Sequence, residues 1–250
     1  TKANILNQQF ESVFSRPQPI SLKELSKHAA SRLTHPPTPP ISITVQGVDK
    51  LLSGLNPNKA SGPDEISPRL LKELHSEIAP MLTQIFQRSL DTGIVPDDWR
   101  HAVISPVFKK GQKSKPSNYR PISLTCIASK LLEHILVSNI MTYFDSHGIL
   151  SPQQHGFRSK HSCETQLTDF TQEIADNLEL GQQSDVIIMD FSKAFDKVDH
   201  HKLIHKLRSL GINSEATSWI HSFLNDRSQQ VLVEGKCSDR LSVLSGVPQG

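Results

Sequence analysis

The sequence predicts an α+β fold, in which helices and short strands are mixed without regular βαβ alternation. Three observations carry this expectation. Apolar residues recur at helical spacing over several segments. Short strand-like runs bounded by turn residues lie between them. A proline-rich stretch separates a helical N-terminus from everything that follows. With 250 residues, 36% of them hydrophobic and 21% charged, the chain is long enough for one large domain or two small ones.

Taken in order, residues 1–16 read as a helix with Ile5, Leu6, Phe10, Val13 and Phe14 near one face. Four prolines between Pro36 and Pro40 exclude helix or sheet interior, so residues 1–40 are expected to be a helical segment and a proline-rich linker. The globular body, residues 41–250, should begin near Ile41. Residues 47–55 suit a short helix, and 56–63 a loop. Ser67-Pro68 opens a long helical pattern (Leu70, Leu71, Leu74, Ile78, Met81, Leu82, Ile85, Phe86), which Pro80 should kink or divide and Gly93 should end. Residues 102–108 and 121–125 read as strands of a hairpin. Residues 127–147 form a strong amphipathic pattern, with Leu131, Leu132, Ile135, Leu136, Ile140 and Phe144 on one stripe and Gly148 as its stop. A loop carrying His155 to Arg158 leads to a helix over 162–180, with Leu167, Phe170, Ile174 and Leu178 facing inward. Residues 185–191 read as a strand buried on both faces. Helices near 200–210 and 214–225 precede a hairpin formed by 229–233 and 241–244, with Gly235 between them.

Composition excludes several classes. The longest apolar run, Val186 to Met189, is far short of the roughly 20 residues a membrane helix needs. Cys126, Cys163 and Cys237 lie too far apart for a disulfide framework or a zinc cluster. With no signal peptide, the chain reads as intracellular, with nucleus and cytoplasm indistinguishable. It opens on Thr1-Lys2 and closes on Pro248-Gln249-Gly250 inside a turn pattern, which reads as a fragment.

Net charge is only +2, but Lys109, Lys110, Lys113, Lys115 and Arg120 lie together without an acid among them. Such a block suits a polyanion, or simply a solvated loop. Asp190 ends the apolar run 185–191. A carboxylate leaving a buried strand end must be paired, capped or bound to a metal, so Asp190 is either a divalent-ion ligand or the cap of the segment after it. Asp196 and Asp199 do not fit a calcium loop and read as structural, one of them capping the helix near 200. His201 and His205 have metal-ligand spacing but lack a third ligand and the glutamate of a zinc protease, and read as an exposed polar face. No glycine-rich phosphate cradle is present, so any phosphate would be held by Lys, Arg and metal.

Six blocks then fall into order: NKASGPDEISPRLLK (58–72), PVFKKG (106–111), NYRPISLT (118–125), QHGFR (154–158), DFSKAFDKVDH (190–200) and SGVPQG (245–250). Together they resemble the successive blocks of reverse transcriptases of non-LTR (LINE-like, jockey-type) retrotransposons, over residues 41–250. The resemblance implies a right-hand polymerase fold, here fingers plus an incomplete palm, that performs RNA-directed DNA synthesis by two-metal nucleotidyl transfer. It implies Mg2+ (two ions in the complete enzyme, Mn2+ as a substitute) and an RNA template, a DNA primer and deoxynucleoside triphosphates as partners. No membrane is implied. An endonuclease and a thumb are expected in the parent polyprotein. By matching position, Asp190 is the first metal-ligand carboxylate, with the Phe191 carbonyl beside it. Phe195 lies beneath the incoming sugar; the alternative for it is a core Phe. Arg120 and either Lys109 or Lys110 meet the triphosphate, and Gln249 and Gly250 close on the nascent base pair. Gly156, Phe157 and Arg158 resemble a template contact; the alternative for Phe157 is core packing. The remaining two catalytic acids of the family lie in a Tyr-x-Asp-Asp turn after the SGVPQG block, so the 250 residues alone are expected to be inactive. A second hypothesis is a catalytically dead, nucleic-acid-binding remnant of such an element.

Overall fold

The computed structural model describes residues 1–15 and 35–249. Gly250 and the end of the expected first helix lie outside the described residues. The chain divides into two compact units, Thr1–Ile140 with Lys193–Gly250, and Met141–Ser192. Among the described residues, helices and a five-stranded sheet occur together, in keeping with an α+β protein.

In the first unit, β1 (His101–Phe108) and β2 (Tyr119–Leu124) form the expected antiparallel hairpin, with Ile104 opposite Ser123 and Val107 opposite Arg120. β3 (Ser228–Val233) then pairs parallel to β1, His101 opposite Ser228 and Ile104 opposite Val231. β4 (Lys236–Cys237) and β5 (Leu241–Ser242) both pair antiparallel with β3, giving the order β2-β1-β3-β4 with β5 beside β3. The parallel β1–β3 pair joins strands more than a hundred residues apart. No local turn signal announces such a pairing, and the sequence pattern did not show it.

Helix α1 (Lys2–Glu11) lies on this sheet. Thr1 caps it by accepting from the Asn4 amide, and Ala3, Leu6 and Phe10 form one buried cluster with Ala102, Ile104 and Val231. Ile5, expected on the inner face, is exposed, and buried Asn7 takes its place on that face, donating to Ser238 Oγ and the Asp239 carbonyl and accepting from Gln229. The expectation that the packed body begins near Ile41 therefore misses α1. Its Phe10 alone contributes about 1.5–3 kcal/mol of burial against the strands. In the described part of the proline-rich stretch, the Thr38 amide donates to the Gly211 carbonyl and Thr38 Oγ1 accepts from the Asn213 amide.

The helical side of the unit starts with α2 (Val45–Ser53), capped by Thr44. The Ser67-Pro68 signal opens α3 (Pro68–Glu73), with Ser67 accepting from the Leu70 amide. The long pattern then breaks at Leu74, not at Pro80. Pro80 lies inside α4 (His75–Thr92), and the chain has already reset its helical hydrogen bonds upstream of the ring. Phe86 of α4 meets Trp99 edge-on at 5.9 Å. Helices α5 (Ile127–Ser146), α6 (Cys163–Glu179), α7 (His200–Ser209) and α8 (Ser214–Leu224) occur where the periodicity placed them. Trp219 of α8 is fully buried, stacks on Phe223 at 5.2 Å and donates to Ser89 Oγ on α4.

In the second unit two expectations fail. Helix α6 has the expected cap at Ser162, yet it buries none of its residues, and Leu167, Phe170 and Leu178 are exposed. An apolar stripe is buried only where another element covers it, and within its own unit none of the described elements does so. Residues 185–191 are extended but belong to no strand, and Val186 to Met189 and Phe191 are exposed. Their alternating backbone donors and acceptors have no partner strand among the described residues, so the run does not become the doubly buried strand its composition suggested.

Candidate active-site residues

The basic block sits at the tip of the β1–β2 hairpin, and the loop is well built. The Lys109 amide donates to the Asn118 carbonyl, Asn118 Nδ2 to the Gln112 carbonyl, and Tyr119 Oη to the Lys113 carbonyl. Lys113 lies over the Phe108 ring at 5.8 Å. Lys109, Lys110, Lys113, Lys115 and Arg120 are all exposed. The side-chain alternation of β2 puts Arg120 with Ile122 and Leu124 on one face, and Pro121 and Ser123 on the other.

The outer edge of β2 receives the end of the chain. The Ser123 amide donates to the Gln249 carbonyl at 2.6 Å. The turn that leads there is fastened to residues 195–200. The Val247 amide donates to the Phe195 carbonyl, the Gly246 amide to the Val198 carbonyl, and Ser245 Oγ to the Asp196 carbonyl, at 3.0, 2.8 and 2.7 Å. His200 Nε2 lies 2.8 Å from the Gly246 carbonyl. Gly246 is required here: its φ is +84°, and a Cβ would fall 2.7 Å from the Phe195 carbonyl oxygen.

Gln249 Nε2 donates to Asp196 Oδ1 at 2.8 Å, and Asp196 is buried. Desolvation pushes the Asp196 carboxyl above the usual range, opposed by the Lys193 charge and by the Gln249 hydrogen bond. Both residues line a small cavity of about 30 Å³ with Arg227, Gln229 and Ser245. Arg227 is itself buried, stacks on Phe223 at 5.3 Å and has its Nε without a hydrogen-bond partner. Burial lowers its pKa to about 10, against the pull of Glu133. Phe195, beside Asp196, is half exposed, which does not fit a core Phe. Asp199 caps α7 by accepting from the Lys202 amide, as one of the two aspartates was expected to do.

The other expected site residues belong to the second unit. Asp190 and Phe191 are exposed in the extended run. Asp190 is not a helix cap, since the turns after it lead to α7, whose cap is Asp199. Gly156 is exposed. Phe157 is 88% exposed, so core packing is not its role. Arg158 is anchored, donating to the Ser151 carbonyl and to Asp145 Oδ1 at 3.0 and 3.2 Å.

Sequence reasoning missed two features. The Asp196–Gln249 bond joins residues 53 apart, for which no local spacing rule exists. In the NKASGPDE block, Gly62 passes so close to the β2–α5 junction that a Cβ would lie 2.6 Å from the Thr125 carbonyl oxygen. The glycine itself was the only available signal.

For a divalent ion, the described residues contain no group of three His, Cys, Asp or Glu side chains able to hold one. Among the described residues, no helix is long and apolar enough to cross a membrane.

Residues 108–250 match the family described as reverse transcriptase (RNA-dependent DNA polymerase). The chain is 30% identical over 213 residues to the RNA-directed DNA polymerase from mobile element jockey of Drosophila melanogaster, which covers 84% of this chain and 23% of the relative. It is 30% identical over 250 residues to the jockey polymerase of Drosophila funebris, covering 99% of this chain and 27% of the relative. It is 30% identical over 209 residues to a probable RNA-directed DNA polymerase from transposon BS of Drosophila melanogaster, covering 83% and 23%. The chain therefore spans about a quarter of the length of these relatives. With the family match extending over more than half of its length, the chain belongs to the reverse transcriptases, in their non-LTR, LINE-like branch.

Proposed function

We propose that these residues form the fingers and part of the palm of an RNA-directed DNA polymerase that copies a retrotransposon transcript. The observation that carries the reading is the seam along β2. The strand that bears Arg120 also holds, through Ser123, the Gln249 segment, and that segment is bonded to Phe195 and Asp196. Three blocks far apart in sequence thus converge around one strand. Arg120 and Ser123 are separated by three residues, about 10 Å of strand.

In this reading the exposed guanidinium of Arg120, with Lys109 or Lys110, holds the triphosphate of the incoming deoxynucleotide. A guanidinium offers bidentate donors to phosphate oxygens and a flat face to a base. Phe195 supports the sugar and excludes a 2′-hydroxyl by contact. Gln249, with Gly250, faces the nascent base pair. Gly156, Phe157 and Arg158 meet the template strand: Phe157 has an exposed ring able to stack on a base, and Arg158 is oriented by Asp145. Asp190 and the Phe191 carbonyl would be protein ligands to Mg2+, which when bound would supply Lewis-acid activation of the primer hydroxyl and charge stabilisation of the leaving pyrophosphate. The RNA template and DNA primer are drawn to the basic hairpin by phosphate charge.

The test is primer extension on an RNA template by the full-length source protein, with Phe195→Val as the diagnostic variant. Wild type should prefer deoxynucleotides, and Phe195→Val should lower that preference by about 10-fold or more, the loss of a steric contact worth over 1.4 kcal/mol. Unchanged discrimination between the two sugars would refute the assignment of Phe195.

A further inference from the structure

We propose that Asp196 is a positioning residue, whose buried carboxylate fixes the Gln249 side-chain amide in the orientation it presents to the incoming nucleotide. The proposal rests on the reading of Gln249 as a nucleotide contact.

The argument starts from what the carboxylate is not needed for. Residues 245–249 are already held by backbone bonds to Phe195, Val198 and Ser123 and by the bond from Ser245 Oγ to the Asp196 carbonyl. None of these uses the Asp196 side chain. The residue is nevertheless only 7% exposed. A buried carboxylate is costly unless it gains strong hydrogen bonds. Among the described residues, the hydrogen bond it receives comes from Gln249 Nε2. A bond to a charged acceptor is stronger than one between neutral groups. It also offsets the loss of rotamer freedom of a long side chain.

The polarity of the pair adds a direction. A carboxylate only accepts, so the nitrogen of Gln249 must face Asp196. The Oε1 is thereby turned away, as an acceptor for an O–H or N–H of the ligand. A glutamine without this partner would present either end of its amide. Burial also raises the Asp196 carboxyl, so the site carries an electrostatic cost that the Gln249 bond partly offsets.

The experiment is a double-mutant cycle in the full-length source protein, reading kcat and KM for the incoming deoxynucleotide. Gln249→Ala should raise KM about tenfold, and Asp196→Ala about five- to tenfold with a smaller change in kcat, the size of a lost charged hydrogen bond. Asp196→Asn should stay within about threefold of wild type, because its amide oxygen still accepts from Gln249. The double variant Asp196→Ala/Gln249→Ala should be no worse than Gln249→Ala alone. Additive losses would overturn the proposal, since Asp196 would then act by another route.

An unchanged KM in Gln249→Ala would instead overturn the nucleotide reading of Gln249, and the orienting role with it. The contact has its own readout, the side-chain amide NMR resonances of Gln249. Their shift should collapse to the free-amide position in Asp196→Ala and persist in Asp196→Asn; resonances indifferent to Asp196→Ala would show that the carboxylate does not hold the amide. If Asp196→Ala does not fold, Gln249→Glu should lower thermal stability by setting two carboxylates together, and Asp196→Asn in that background should restore it. No restoration would overturn the contact.

Discussion

At the scale of single residues, close approach and burial decide more than motif identity. Gly246 has a positive φ and no room for a methyl group, because Phe195 and Asp196 backbone atoms lie within 2.8 Å of where its Cβ would be. Gly246→Ala should therefore destabilise the protein by about 1–3 kcal/mol, measured by denaturant unfolding. Glu133 makes a different prediction. It is largely buried near Arg227, and desolvation raises its pKa above 4.5, opposed by a hydrogen bond from Ser129 and by the charges of Arg227 and Lys130. The folded state thus keeps a proton that the unfolded state has already released as pH rises past 4.5. Stability should fall as pH rises through that window, and Glu133→Gln should flatten the fall. Asp196 contributes in the same direction from 3.8 upward, so a residual slope should survive in the Glu133 variant. Urea unfolding across this pH range checks both signs. Asp199 as a helix cap was legible in the sequence because capping is a local rule. The partner of Asp196 was not, because the hydrogen bond closes a long loop.

At the scale of elements, periodicity located helices well and their environments less well. The pattern over 127–147 gave both the helix α5 and its buried stripe, Leu131, Leu132 and Leu136. An equally clear pattern over 162–180 gave the helix α6 but not its burial, because spacing shows which residues share a face and not whether anything covers that face. The apolar run 185–191 failed for the related reason that strand composition does not supply a strand partner. The β1–β2 hairpin was readable from its neighbouring runs, whereas the parallel β1–β3 pair required the crossover to be known. The packing of α8 on α4 makes a quantitative prediction. Trp219 is 1% exposed, stacked on Phe223 and bonded to Ser89, which in turn donates to the Ile94 carbonyl. Trp219→Ala should cost about 3–5 kcal/mol, with Trp219→Phe losing less because it keeps the stacking and gives up only the hydrogen bond. Equal losses in the two variants, in thermal or denaturant unfolding, would contradict this packing.

At the scale of the whole molecule, the family was legible because six short blocks occur in one order, and the match over residues 108–250 bears out that reading. The structure adds what order alone does not contain: the seam that joins residues 119–124, 195–200 and 245–249. Among the described residues it brings no three His, Cys, Asp or Glu side chains together as a metal site. The proposed function makes catalysis by the full-length source protein depend on Asp190. The most direct measurement is RNA-templated primer extension by that protein, comparing wild type with Asp190→Asn and monitoring binding to an RNA–DNA hybrid in parallel. The account predicts that extension falls by at least about a hundredfold, as for the loss of a charge essential to the transition state, while hybrid binding is retained. Extension at the wild-type rate in Asp190→Asn would contradict it.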